Sequence, residues 1–442
     1  MNFGRGTSMN DLFAASDSIM RGELTTAQWF RTVPRCQLTE VMADSAVVVC
    51  RGLSANVTVL RTSEGLLLAD TGAVDTGGAI FDAVRAWAPD APVRTIVYTH
   101  GHFDHCNGTV LYDQEAAQRG WPRPTVIAHA DVRRRFARYE RTSPLNAAIN
   151  KRQYSRPDFQ WPTRYRYPDT VFHDQLRFSL GGETFELFHG RGETDDHAWM
   201  WAPQRKLVVA GDFVMWAAPN AGNPQKAQRY AADWAVALRA MAAHEPEILI
   251  PGHGPPIPGV TTIARYLDGA ARWLEHLHDQ TVDLLNQGFR VDEIVQRVRV
   301  PTDLAAQPWL QPTYDDPEFV VRNVCRLYGG WWDGNPAHLK PAVEDELARS
   351  LAALAGSPAA IASHAEKHLA AGDLRIAGHL AEWAALAAPD DAYVQSVRAA
   401  VNERRVESEP SQMAKGIFGA AARDARSRAA AVIRRDQSRQ AD

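Results

Sequence analysis

At 442 residues the chain is longer than one hydrophobic core usually serves, which predicts two domains. Its 45% hydrophobic and 23% charged residues exclude collagen-like, low-complexity and wholly disordered chains. With 48 Lys and Arg against 52 Asp and Glu, a net charge of -4 gives no global field to hold nucleic acid or an anionic membrane.

Residues 1–40 read as an N-terminal extension. Asn, Arg, Asp and Glu interrupt any apolar run there, which argues against a signal peptide, and no later stretch has the 18 apolar residues of a membrane span. Cys36, Cys50, Cys106 and Cys325 lie far apart with no Cys-x-x-Cys pair, which argues against a disulfide framework and a thiolate zinc site. A reduced cytoplasmic protein is expected, with no nucleic-acid partner and no membrane insertion.

Between residues 41 and 262 short β-branched runs alternate with polar loops. Strands are predicted at 46–50, 55–60, 66–69, 95–99, 206–210 and 247–250, and helices at 78–88 and 231–243, so this half reads as α/β. Residues 263–415 read as an all-α domain, with helices at 261–287, 291–298, 317–328, 342–354, 359–371, 374–388 and 393–405. The last segment, 416–442, has six arginines among alanines after residue 421 and is expected to be a frayed helix or loose tail.

The chemistry is carried by the run that follows Thr95–Thr99. His100, Gly101, His102, Phe103, Asp104 and His105 put four metal-competent side chains into six residues at a strand end, where Gly101 permits a sharp turn. Glu193, between Gly192 and Thr194, lies in a loop; Asp212 follows Gly211 after a strand-like run; His253 lies between Gly252 and Gly254 after another. Polar residues beside glycines at strand ends are where a sheet presents ligands.

This order of motifs is similar to the metallo-β-lactamase superfamily over roughly residues 40 to 260. The resemblance implies an αββα sandwich that binds two metals, usually zinc, with an activated water between them. His100 and His102 then hold the first metal, Asp104 and His105 the second, Asp212 bridges and His253 completes the second site, with Asp104 and Asp212 also catalytic. Most members have histidine where Glu193 stands, so a carboxylate joins the first metal here. That glutamate resembles the alkylsulfatase branch, as does the segment from Val320 to Leu339, which is similar to the lead into that branch's helical dimerisation domain. A homodimer through the helical half is implied. Enzymes of the branch commonly add a sterol-carrier-like domain, for which the sequence to Asp442 has no room, and they commonly carry a glutamate where Asp212 stands.

The expected reaction is hydrolysis of a small-molecule anionic ester, the sulfate ester of an alkyl chain, to alcohol and sulfate by a metal-bridging hydroxide on two zinc ions or another divalent pair. Alternatives are a hydrolase of the same fold acting on another ester, a lactone, a β-lactam, a thioester or a phosphodiester, and an iron oxidoreductase of that fold. Asn220, Asn223 and Arg229, with Lys226 beside them, are read as binding the anionic group, and Tyr314 as reaching over the pocket from the helical half. His197 and Asp70 are read as orienting ligands from behind, with His189 a weaker choice. Cys106 is expected in the core, and Trp216 and Trp332 are the aromatic candidates for a pocket wall.

Overall fold

The computed structural model describes residues 8–51 and 54–441. Thirteen strands form two sheets among the described residues. The first joins β1 (Cys36–Met42), β2 (Ser45–Cys50), β3 (Val57–Thr62), β4 (Gly65–Ala69), β5 (Val93–Val97), β6 (Thr125–His129) and β7 (Thr170–Phe172) in chain order. The second comprises β8 (Gln175–Leu180), β9 (Glu183–His189), β10 (Ala198–Ala202), β11 (Leu207–Gly211), β12 (Ile248–Pro251) and β13 (Ile257–Pro258), also laid side by side in sequence order. The first sheet changes from antiparallel to parallel pairing after β4, and in the second only β11 and β12 run parallel.

Alternation along the strands builds the layers. On β2, Val47 and Val49 join the core between the sheets, while Val48 and Cys50 face the outer core under the helices that carry Ile80, Tyr112 and Phe136. Against the second sheet lie Trp234 and Leu238 of the Ala231–Ala243 helix and Leu267 and Leu274 of the Val260–Asn286 helix. The result is the expected αββα sandwich followed by a helical region.

Several elements exceed the expectation. The N-terminal extension forms helices Met9–Met20 and Thr26–Thr32, each begun by a capping box. The strands β1, β6 to β10 and β13 were not anticipated. β8 alternates polar with apolar residues in step with its exposed and half-buried positions, a two-residue period confined to six residues, whereas β10 is buried throughout and shows no such period. The segment expected as a frayed helix or loose tail belongs to a helix, Gln412–Ala441, packed on the Ala392–Ser408 helix and on the Ser143–Tyr154 helix of the sandwich. Ala422, Ala425, Ala429 and Val432 form its buried stripe, while Arg426 pairs outward with Glu403; alanine carries too little hydropathy to advertise such a face.

Candidate metal centre

The ligand candidates gather where β5, β11 and β12 end. Beyond β5 the chain turns back at Gly101, whose N–H donates to Asp196 Oδ2 at 3.0 Å. A Cβ there would lie 2.8 Å from Arg135 Cδ and 2.9 Å from Asp196 Oδ2, so only glycine fits. His100 Nε2 and His102 Nδ1 end 2.8 Å apart. Donor atoms of His100, His102, Glu193 and Asp212 lie within 4.8 Å of one another, and those of Asp104, His105 and His253 form a second such group. Asp212 faces both: its Oδ2 is 3.8 Å from His100 Nε2, and its Oδ1 is 3.3 Å from the Nε2 atoms of His105 and His253.

The rings are oriented from behind. Asp70 Oδ2 holds His105 Nδ1 at 2.7 Å and also accepts from Thr99 Oγ1 at 2.8 Å; the Ser54 carbonyl holds His253 Nδ1 at 3.2 Å. Each contact leaves the other ring nitrogen turned to the centre. His105 Nε2, Asp212 Oδ1 and Glu193 Oε2 are buried with no hydrogen-bond partner among the described residues. Buried polar atoms are otherwise almost always paired, and mixed nitrogen and oxygen donors that converge without partners suit divalent cations such as zinc. Burial and the neighbouring His105 and His197 hold His100 well below the usual histidine range, leaving a neutral ring fit to ligate. Burial works to lower His105 as well, yet Asp212, Asp70 and Asp104 carry it well above that range. Asp212, against the effect of its burial, is held well below the carboxylate range by His253 and His105.

Two residues expected on the substrate are engaged elsewhere. Asn220 Nδ2 and Arg229 Nη1 each donate to Glu193 Oε1 at 2.6 Å, and Arg229 Nη1 also donates to the Asn220 carbonyl at 2.5 Å. Burial pushes Glu193 up to about 7, with Arg229 opposing. His197 lies behind the ligands: its ring stacks on Phe213 with centroids 4.0 Å apart, and its Nε2 accepts the Asp212 N–H at 3.2 Å. His189 stacks on His129 instead, and Cys106 donates to the His100 carbonyl at 3.1 Å. Trp332 is 45% exposed and is not part of the pocket wall.

A cavity of about 480 Å³ opens on both donor groups. Its apolar walls include Phe103, Trp161, Met215 and Trp216, with Ala27 and Phe30 from the Thr26–Thr32 helix; Gln412 comes from the C-terminal helix, and Asn223 and Tyr314 line it as expected. Of the three cations on this wall, Arg229 pairs with Glu193 and Arg156 with Asp158. Lys226 has no carboxylate partner among the described residues and stands 5.4 Å over the Trp161 ring. Tyr154 and Tyr314 share a 2.6 Å hydrogen bond, and Gln153 Nε2 donates to Tyr314 Oη at 3.0 Å. One of the two phenolic protons makes the mutual bond, so the other is left for the cavity. Tyr154, Phe30, Arg135 and Asp196 were missed by the sequence reading.

The loop bearing these groups is clamped from the helical half. Asp315 accepts the N–H groups of Gly222 and Asn223 at 2.5 and 3.1 Å, and Asn323 Nδ2 donates to the carbonyls of Ala221 and Arg229 at 2.9 Å each.

Comparison with known families agrees with this architecture. Residues 50–253 match the Metallo-beta-lactamase superfamily and residues 290–428 match the family Alkyl sulfatase dimerisation, so the chain joins a metallo-β-lactamase domain to an alkyl sulfatase dimerisation domain. It is similar to a linear primary-alkylsulfatase of Pseudomonas sp., 25% identical over 366 residues that cover 77% of this chain and 68% of that protein. An alkyl/aryl-sulfatase of Saccharomyces cerevisiae is 24% identical over 349 residues, 74% of this chain and 54% of that protein. The chain thus spans from about half to two thirds of the length of these relatives. Among solved structures, the stereoselective inverting sec-alkylsulfatase Pisa1 from Pseudomonas sp. shares the fold with a TM-score of 0.80 at 23% identity, over 90% of this chain and 67% of that one.

Proposed function

We propose that the protein is a dinuclear-metal hydrolase that cleaves the sulfate ester of an alkyl chain to alcohol and sulfate. The observation that carries this reading is the cavity itself, which is lined on one side by His102, Asp104, Glu193, Asp212 and His253 of the seven-residue donor cluster and has aromatic walls and a lysine with no carboxylate partner among the described residues. The names of the relatives supply the ester class.

His100, His102 and Glu193 would hold one cation, Asp104, His105 and His253 the other, with Asp212 between them. When bound there, a pair of divalent ions such as zinc would supply water activation and offset charge on ester oxygens. The chain's own groups do the rest. Lys226 and Asn223 receive the sulfate oxygens, the first by charge and the second by its amide. The free phenolic proton of the Tyr154–Tyr314 pair is directed to an ester oxygen. Phe30, Trp161 and Trp216 bury the alkyl chain and exclude water, while Arg229 and Asn220 hold the Glu193 carboxylate in place. Sulfate release from a panel of short and medium alkyl sulfates, measured with zinc-loaded protein, tests the reading; no release from any member would refute it.

The helical half is proposed to make the protein a homodimer. The dimerisation-family match supports this, as do Trp331 and Leu354, left 72% and 85% exposed. No helix among the described residues is long and apolar enough to cross a membrane. A cytoplasmic location is part of the same proposal and rests on the cysteine spacing of the sequence, although the sheet sets Cys36 directly opposite Cys50.

A further inference from the structure

We infer that a second cleft, in the helical half, is a binding site for a tetrahedral oxyanion such as sulfate or phosphate. This cleft, of about 550 Å³, lies among the helices Val291–Arg297, Pro317–Gly329, Leu374–Ala387 and Ala392–Ser408 and shares no lining residue with the metal cavity.

Its charges do not cancel. Arg375 is met by both oxygens of Glu318, at 2.5 and 3.1 Å. The two acids on the wall are already taken, Asp292 by Arg290 at 3.0 Å and Glu382 by Arg398 at 2.9 Å. Arg322 and Arg405, which face the cleft from two different helices, have no carboxylate partner among the described residues. Arg405 is the more telling. It packs over the Phe418 ring at 3.7 Å, where burial weakens its hold on its proton; Glu409 and Glu382 counter this through space without pairing with it. A half-buried guanidinium with five donors and no anionic acceptor is costly unless something else supplies one.

The helix opposite makes room for it. Gly378 stands inside Leu374–Ala387, where glycine is less favourable than alanine. A Cβ at that position would lie 2.7 Å from Arg405 Nη1 and 3.2 Å from Cζ. The glycine therefore keeps the guanidinium in the cleft at the expense of helix stability. Two guanidinium groups, with His379 beside them in the lining, match the charge of a tetrahedral dianion and supply donors suited to its oxygens. Asn323, the residue after Arg322, is the clamp on the loop that carries Lys226, so an anion here would sit one helix away from the substrate cavity.

Isothermal titration calorimetry of the full chain with inorganic sulfate, inorganic phosphate and glycerol phosphate tests the assignment. At least one probe should show a binding event that weakens about tenfold or more in Arg322→Gln and in Arg405→Met, the change expected when one charge-assisted pair is removed. The same event should persist in Lys226→Met, which alters the other cavity, and in Arg404→Gln, whose exposed side chain pairs with Glu407. Whichever probe binds identifies the source of the oxyanion. Arg322 is exposed, so its replacement leaves the fold intact even if Arg405→Met does not. Absence of heat from every probe, binding unchanged in Arg322→Gln, or loss of the event in Lys226→Met would overturn the assignment.

Discussion

Arg229 Nη1 stands 2.6 Å from Glu193 Oε1, and the two side chains retain only 2% and 4% of their exposure. Breaking a buried pair by removing one partner costs about 3–5 kcal/mol, because the other charge is left without compensation. Arg229→Met is therefore expected to lower the melting temperature and reduce bound metal below two ions per chain, with kcat/KM falling as a consequence. Metal analysis of the purified variant decides the matter. A full metal complement with a raised KM alone would return the guanidinium to the substrate.

Asp70 offers a second handle on the centre, acting on His105 from the side away from the donors. Asp70→Asn keeps the shape but weakens the acceptor for His105 Nδ1–H, and loss of such an outer partner typically costs about 10- to 100-fold in metal affinity. Competition with a zinc chelator should show a drop of that size at unchanged fold.

Lys226 gives a pH signature. Burial, with Arg229 beside it, lowers its pKa to about 8, against the opposing pull of Glu193 and Asp104, while Arg135 adds to the lowering. The ammonium is charged below that value and neutral above it, so attraction for an anionic ester is present at pH 7 and lost as pH rises through about 8. KM for an alkyl sulfate should climb over that interval. Lys226→Met should start with a high KM and show no climb, and Lys226→Arg should restore affinity while moving the climb to higher pH. A wild-type KM that stays flat from pH 7 to 9 would exclude the ammonium from substrate binding.

Phe30 closes the apolar end of the cavity. Burying a side chain of this size is worth about 1.5–3 kcal/mol, and its truncation leaves space for additional methylenes. Phe30→Ala should shift the preference among alkyl sulfates towards longer chains, read as the ratio of kcat/KM for a long over a short substrate; an unchanged ratio would place the chain elsewhere.

Trp331 and Leu354 should matter for assembly and not for chemistry. Trp331→Glu with Leu354→Glu puts charge onto the exposed apolar surface, and light scattering is expected to show a dimer for the wild type and a monomer for the variant.

The centre was largely legible in the sequence because its donors lie in short turns directly after strands. His100 to His105, Asp212 and His253 each follow a run whose residues announce a strand, and Glu193 is marked by the residues on either side of it. The partners of Arg229 were not legible. The guanidinium could serve substrate or protein, and only the fold of the 213–230 loop turns it to Glu193. Tyr154 and Phe30 carried no local sign of their role, since they reach the cavity on helices distant in sequence from every ligand. The packing of the C-terminal helix escaped because its buried stripe is built from alanine, which a hydropathy pattern hardly registers.

That helix has a consequence for how the enzyme comes into being. Gln412 Nε2 bonds the Gln153 carbonyl at 3.0 Å, and near the opposite end of the chain Thr26 Oγ1 bonds the Trp216 carbonyl at 2.8 Å. Every proposed metal ligand is already synthesised before residue 412 emerges from the ribosome, yet the cavity still lacks the part of its wall that Gln412 supplies. Turnover thus reports on completion of the fold, and a protease nick near residue 412 would flood the cavity while leaving its ligands uncut.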